Sequence, residues 1–366
     1  MEDWQIEDAM MRKVNGLLEA LAAGSQWTDF DGGISEGTSM SEMTQTTSQL
    51  TRKDRNVWLR ARLGIGRMNL RVKPGLYSLG RPNKNSPVFV TANYQLSFNS
   101  LRSQLSGLNC YILVLDTRGI NVWCAAGEGT FGTDEVVRRI ESTSLRDLVN
   151  HRVLILPQLG APGVAAQEVK RRTGFKVEWG PVRASDIQQY MRTGEATPEM
   201  RRVRFNIRER VELIPVEITN IFLPLLIALT ILLLIDMRYT VLMITAMVLA
   251  GIVFFPILLP FLPTRDFTSK GLILGVLAST PFMAREYFVN AGEPLWLAFT
   301  ATVVPALMIS PWVGFIALNF TGSTTFTSRT GVRREIFRYI PLIAATFIIG
   351  LGLEIGFQVA RWYGAI

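Results

Sequence analysis

Tyr111-Ile112-Leu113-Val114-Leu115-Asp116 is apolar or aromatic at every position before its terminal acid. A strand with one wet face alternates apolar and polar side chains. A run that never alternates suits a strand covered on both faces, in a sheet layered between helices. Working outward, Val88-Phe89-Val90-Thr91-Ala92, Val153-Leu154-Ile155-Leu156 and Phe175-Lys176-Val177-Glu178-Trp179 read as three more strands. Helical patterns separate them, over residues 96–105, 134–140, 145–150 and 164–172. This alternation predicts an α/β, Rossmann-like domain with a largely parallel sheet over residues 72–210. Ligands of such sheets sit beyond the carboxyl ends of the strands. Four loops fall there: Thr91-Ala92-Asn93, Asp116-Thr117-Arg118-Gly119, Gly127 to Thr133, and Pro157 to Gly163.

The third loop follows Asn121-Val122-Trp123-Cys124-Ala125-Ala126, which places a thiol between an apolar, strand-like run and a Gly/Thr-rich turn that opens a helix. A helix N-terminus favours a thiolate. The turn also contains Gly127-Glu128-Gly129-Thr130-Phe131-Gly132, a literal dinucleotide-binding pattern. That fingerprint belongs after the first strand of its unit and needs an acid about twenty residues on, at the end of the next strand. Asp147 stands at that distance, inside a helical pattern, so the nucleotide reading is the weaker one. The chain has two cysteines, Cys110 and Cys124, and one histidine, His151. Two thiols are too few for an iron–sulfur cluster or a four-ligand zinc site, and chemistry needing two imidazoles on this chain is ruled out. Cys110, at the head of a buried strand, reads as a structural thiol.

Hydrophobic residues make up 48% of the chain and charged residues only 19%, with the charges concentrated before Ile218. Five apolar stretches follow, near residues 219–235, 239–262, 271–289, 295–320 and 339–360, each long enough or nearly so to span a bilayer. The third is interrupted by Pro281, Arg285 and Glu286. Arg201, Arg202, Arg204, Arg208 and Arg210 precede the first, Arg265 and Lys270 follow the second, and Arg329, Arg333, Arg334 and Arg338 precede the fifth. The positive-inside rule then puts the α/β domain in the cytoplasm, under a multi-pass inner-membrane domain over residues 211–366 whose C-terminus is outside. Residues 1–71 read as an amphipathic helix over 4–23, a Gly/Ser/Thr-rich linker over 24–50 and a basic, solvated lead-in; nucleic-acid binding is not expected of it.

The run Asn121 to Gly127, with Gly129-Thr130-Phe131-Gly132-Thr133 after it, resembles the cap-helix motif of the mercury-methylating corrinoid protein family. The domain around it is similar to the corrinoid domain of the corrinoid iron–sulfur protein large subunit. Pro74-Gly75-Leu76-Tyr77, Val90-Thr91-Ala92-Asn93-Tyr94, Leu113 to Ile120, Leu156 to Val164 and Gly180-Pro181-Val182-Arg183-Ala184 carry the same likeness. The resemblance runs from about residue 72 to the C-terminus, because that family also has a multi-span membrane domain; Asn319-Phe320-Thr321-Gly322-Ser323 and Gly331-Val332-Arg333-Arg334-Glu335 belong to it.

The resemblance implies a base-off cobalamin with Cys124 as axial ligand of the cobalt. Around the corrinoid it places Thr91, Asn93, Thr117, Asn121, Val122, Trp123, Ala125, Ala126, Gly127, Gly132, Thr133, Gln158, Gly160 and Ala184. It further implies a methyltetrahydrofolate-type donor acting through a methyltransferase, Hg(II) as methyl acceptor, and a ferredoxin-like 4Fe-4S protein as reductant. The residues agree: no Asp-x-His-x-x-Gly segment occurs, so a histidine-ligated corrinoid module is excluded. A thiolate donates more charge to cobalt than imidazole does, which favours a methyl group leaving with its electron pair toward a soft metal ion. Two positions depart from the family. Glu128 stands where the motif usually has Lys, and Gln167 where His is expected. Glu128 replaces a cation near the thiolate with an anion, which should raise the thiol pKa, and Gln167 removes a proton-handling group. The ligand residue itself is unchanged, so both bear on the acceptor more than on the cofactor. The competing expectations are a corrinoid shuttle of one-carbon metabolism with another acceptor, a nicotinamide enzyme, and a non-catalytic membrane scaffold.

Overall fold

In the computed structural model, residues 43–66, 69–324 and 329–363 are described; the amphipathic helix expected over 4–23 lies outside them. Among the described residues, a six-stranded sheet runs in the order β1-β2-β4-β3-β5-β6. Its strands are β1 (Thr44–Thr46), β2 (Gly75–Leu79), β3 (Val88–Ala92), β4 (Cys110–Leu115), β5 (Val153–Pro157) and β6 (Lys176–Gly180). The four strands expected from the sequence are β3 to β6, and they are parallel to one another. β2 is antiparallel to β4, with Gly75 opposite Val114 and Leu79 opposite Cys110. β1 pairs parallel with β2, so the tail of the expected linker is a strand at the sheet edge.

The unbroken apolar character of β4 has the cause inferred for it. Tyr111, Leu113 and Leu115 join a core with Val122, Ala125, Phe131, Val136 and Val169. Cys110, Ile112 and Val114 join a second core with Phe98, Leu101, Leu105 and Ile187. Alternate residues of one strand thus meet helices on opposite faces. The helices are α1 (Arg52–Arg62), α2 (Gln95–Gln104), α3 (Val122–Glu128), α4 (Thr133–Ser142), α5 (Leu145–Leu148), α6 (Ala166–Thr173), α7 (Ile187–Thr193) and α8 (Ile207–Val211).

One expectation is corrected here. The run around Cys124 is helical, not strand-like. Asn121 keeps extended backbone, and its side-chain oxygen accepts from the Cys124 amide at 2.9 Å, an N-cap that starts α3 at that point. Gly129 ends α3 in the left-handed region at φ 90°, and Gly132 caps α4. The Gly-x-Gly-x-x-Gly pattern therefore sits in a helix–turn–helix corner, without the preceding strand that a dinucleotide site requires.

α1 opens with a capping box, Thr51 and Asp54 each bonding the other's backbone amide. Asp54 also receives the Arg102 guanidinium at 2.8 Å and the Asn99 amide at 3.1 Å. Arg102 donates in addition to the carbonyls of Thr47 and Gln49, at 2.7 and 2.9 Å. One buried arginine on α2 thereby holds the whole path from β1 to α1. Burial pushes the Asp54 carboxyl up, but the Thr51 amide and hydroxyl and the Arg102 guanidinium outweigh it and hold it at about 2. At Cys110 burial acts alone and pushes the thiol up to about 12, in keeping with a structural role.

Among the described residues, five helices are long and apolar enough to cross a membrane: Ile207–Leu234, Arg238–Leu258, Phe267–Val289, Leu295–Phe320 and Thr330–Ala360. The third is continuous through Pro281. It packs on the fourth through small residues: a Cβ at Gly275 would lie 2.5 Å from Ser310 Cα, and one at Gly271 2.4 Å from Ala317 Cβ. Such stripes let two backbones approach closely enough for dispersion to hold them without a hydrophobic driving force. Ser310 adds a hydrogen bond to the Leu272 carbonyl at 2.8 Å. Glu335, from the fifth helix, accepts from the amides of Phe267 and Thr268 at the N-terminus of the third.

Two expectations follow for stability. Asp54→Asn removes a charged acceptor from a shielded pair, at a cost of about 1.5–3 kcal/mol; trypsin then cuts faster at Arg52, Lys53 and Arg55, and unchanged cleavage means the clamp is idle. Because the folded carboxyl is depressed from 3.8 to about 2, its contribution in the unsubstituted chain is complete above pH 3.8 and disappears as pH falls through about 2. In the membrane part, Gly275→Leu overpacks the third and fourth helices by about 1–3 kcal/mol or more. It lowers the melting temperature in detergent, whereas Gly292→Ala, which meets open space, leaves it unchanged.

Candidate functional site at the carboxyl ends of the strands

A cavity of about 1000 Å³ opens at the carboxyl ends of β3, β5 and β6, the upper end of the usual size for small-molecule sites. Thr91, Pro157 and Gly180 mark the strand ends. Asn121, Val122 and Trp123 at the start of α3 form one wall, and Pro181, Val182 and Ala184 after β6 form another. A third wall is α1, through Asp54, Trp58, Leu59 and Arg62. The lining is mainly apolar.

Of the residues expected around a ligand, Thr91, Asn121, Val122, Trp123 and Ala184 line this cavity. Cys124 follows them directly, half-buried at the third position of α3 and on the same helical stripe as Asn121, but it is not among the lining residues. Glu128, exposed at the end of α3, is one further turn along that stripe. Ala125 and Ala126 face the other way, into the core, and Gly127 is exposed.

The remaining positions form the frame. The Asn93 side-chain oxygen accepts from the Thr117 amide and hydroxyl, at 3.0 and 2.9 Å, and from the Gly119 amide at 2.9 Å. Thr117 also donates to the Ile120 carbonyl at 2.7 Å. Gly160 and Gly163 make room for Phe131: a Cβ at Gly160 would lie 2.5 Å from its ring and one at Gly163 2.3 Å from its carbonyl oxygen. A Cβ at Gly132 would lie 2.5 Å from the Gly129 carbonyl. The Thr133 hydroxyl accepts from the Ala165 amide at 2.8 Å, and the Gln158 side chain from Arg201 at 3.0 Å. These loops converge on one end of the sheet, but their polar groups are spent on one another.

Sequence reasoning missed Trp58, Leu59 and Arg62, because the basic stretch read as a solvated lead-in. The signal was present. Thr51 and Asp54 have capping-box spacing, and Val57 and Ala61, four residues apart, are the side that α1 buries.

The profile of the CO dehydrogenase/acetyl-CoA synthase delta subunit family matches residues 64–191. An acetyl-CoA decarbonylase/synthase complex subunit gamma from Methanopyrus kandleri is 35% identical over 122 residues, 33% of this chain and 26% of that protein. One from Archaeoglobus fulgidus is 34% identical over 127 residues, covering 34% of this chain and 27% of its own. The corrinoid/iron-sulfur protein large subunit of Moorella thermoacetica is 31% identical over 130 residues, covering 35% and 29%. The chain thus spans between 26% and 29% of the length of these relatives. The relation to corrinoid proteins holds through the α/β part, and α1 and the five apolar helices lie outside the matched residues.

Proposed function

We propose that the chain is a membrane-anchored corrinoid methyl carrier and transferase, with Cys124 as the axial thiolate of a base-off cobalamin. The supporting observation is the large apolar cavity bounded by Thr91, Asn121 to Trp123 and Ala184, beside the helix that bears the thiol. A planar macrocycle needs such a wide apolar cleft; the lining fits the ring, and Cys124, which follows the lining residue Trp123 directly, is the donor this reading assigns to it. When bound, the corrinoid supplies a cobalt centre that takes up and releases a methyl group.

The chain's own part is to hold the sulfur. The Asn121 cap fixes the Cys124 amide, so the starting point of the side chain is set before any ligand arrives. Val122 and Trp123 cover the cavity side of α3 and keep water from it, and the Thr91 hydroxyl is placed to bond a polar edge of the ligand. Cys110 does not compete: it is fully buried, with its thiol pushed up to about 12.

The donor in this reading is a methyltetrahydrofolate-type compound acting through a separate methyltransferase, and the acceptor is Hg(II), giving methylmercury. The two cysteines of the chain cannot build a cluster, so a ferredoxin-like 4Fe-4S protein restores the low-valent cobalt. The arginines that flank the first and fifth apolar helices set the α/β domain on the cytoplasmic side, with the C-terminus outside. The working partition is a leading segment over 1–71, the corrinoid domain over 72–210 and the membrane domain over 211–366. A second acceptor, a carbon centre of one-carbon metabolism, is favoured by two observations. The relatives are named for acetyl-CoA decarbonylase/synthase complexes, and Glu128 places an anion on the stripe of Cys124.

Cys124→Ala and Cys124→His each change the visible spectrum of the purified corrinoid-loaded chain while cobalt remains bound through the cavity walls. A spectrum indifferent to both substitutions means the thiolate assignment is wrong. For the acceptor, methyl-loaded membranes supplied with a reduced ferredoxin form methylmercury when Hg(II) is added, and Glu128→Lys raises that yield several-fold. Loss of the methyl group at the same rate with and without Hg(II) assigns the site to the second acceptor.

A further inference from the structure

α1 is the wall of the cavity that does not belong to the stretch shared with the relatives, which starts at residue 64. It is also the wall with the least to hold it down. α3 is set into the core by Val122, Ala125 and Ala126, and the strand ends by the sheet itself. α1 buries only Val57 and Ala61, against Leu70, Tyr94 and Leu96. Its Trp58 borders the cavity while staying 50% exposed, an indole that the core does not account for. The Arg62 guanidinium stacks over that ring, 5.4 Å from its centre.

The two ends of α1 are tied unequally. At the first, Asp54 and Arg102 are paired with their side chains 12% and 8% exposed. At the last, Arg62 pairs with Glu212 at 2.7 Å, with 30% and 33% exposure, and a pair so open to water is worth about 0–1 kcal/mol. Gly64 and Gly66 follow at φ 72° and 60°, left-handed positions where glycine turns without strain. The helix is therefore pinned at Asp54, weakly latched at Arg62, and followed by a glycine turn.

We propose that α1 is a hinged cover of the cavity, and that Trp58 is the side chain that lies on the planar ligand beneath it. This rests on the corrinoid reading of the same cavity. A large ligand in such an open pocket is enclosed only when one wall closes over it, and α1, pinned at one end and weakly latched at the other, is the wall whose ties allow that. The face of an indole stacks on a conjugated macrocycle, and closure excludes water from the site. Because the latch is Glu212, just past α8 and within the first apolar helix, Ile207–Leu234, opening also breaks a contact with that helix.

The test uses the full chain in detergent with hydroxocobalamin as probe, following amide hydrogen exchange over residues 52–62 and the rates of corrinoid uptake and release by absorbance. Bound corrinoid slows exchange in that helix by about tenfold, and Trp58→Ala speeds release by about tenfold, as loss of a stacking contact implies. Trp58→Phe, which keeps an aromatic face and the fold, has a smaller effect in the same direction. Arg62→Met speeds uptake and release together and leaves their ratio within about twofold, as loss of a latch rather than of a contact requires. If the corrinoid binds and its spectrum responds to Cys124→Ala, yet exchange over 52–62 and the rates in all three variants match the unsubstituted chain, the cover is overturned and the corrinoid reading stands. If no corrinoid binds, both are overturned.

Discussion

The position of the site depends on one buried carboxamide. Asn93, only 3% exposed, leaves β3 and receives three hydrogen bonds from the loop that leaves β4: two from Thr117 and one from Gly119. Its amide donates to Asp116 at 3.1 Å. To present those amides the loop turns left-handed at Arg118, φ 57°, and Gly119, φ 78°. An aspartate there would lose the donor and set a second carboxylate against Asp116; an alanine would orphan the Thr117 and Gly119 amides, at about 1–3 kcal/mol for each buried group. Two residues past this turn is Asn121, whose own carboxamide starts α3 at Cys124. A chain of two asparagines thus carries the geometry of the sheet to the sulfur.

Packing completes what the hydrogen bonds begin. Phe131 is fully buried, its amide donates to the Ala125 carbonyl at 3.0 Å, and Gly160 and Gly163 press against it. Gly132 and the glycines of the β5–α6 loop therefore serve close packing, whereas Gly129 gives the left-handed end of α3. That is why the corner looks like a phosphate-binding loop in sequence and is not one in space: Gly132 admits the Gly129 carbonyl, and Gly160 and Gly163 press on Phe131.

Much of this was legible before the structure. β3 to β6 announce themselves by continuous apolar runs, since only a doubly covered strand can dispense with polar alternation. The apolar helices are legible by length alone. β2 was missed because Gly75-Leu76-Tyr77-Ser78-Leu79 opens on glycine and is interrupted by a serine, and its burial depends on β1 and β4 flanking it. α3 was misread because Ile120, Val122 and Trp123 favour strands locally, while a single side-chain cap at Asn121 decides for helix. Within the site, Thr91, Asn121, Val122, Trp123 and Ala184 line the cavity and were named from the family likeness, whereas Trp58, Leu59 and Arg62 were not. Asn93, Thr117, Gly132 and Gly160 were named from the same likeness, yet their chemistry is internal to the frame. Sequence proximity to a motif does not distinguish a wall from what props the wall.

The walls also differ in what they are tied to. α3, with the thiol, is packed into the α/β core through Val122, Ala125 and Ala126. The turn after β6 is linked through Arg183, next to the lining residue Ala184, to Glu209 of α8. α1 is linked through Arg62 to Glu212, just past the end of α8. Both ion pairs are about one-third exposed, so each holds weakly, and both converge on the short helix that leads into the first apolar span. A small displacement of α8 would therefore loosen two walls at once without disturbing the third. Such a layout ties two walls of the cavity to the start of the first apolar helix, while the sulfur stays where Asn93 and Asn121 have set it.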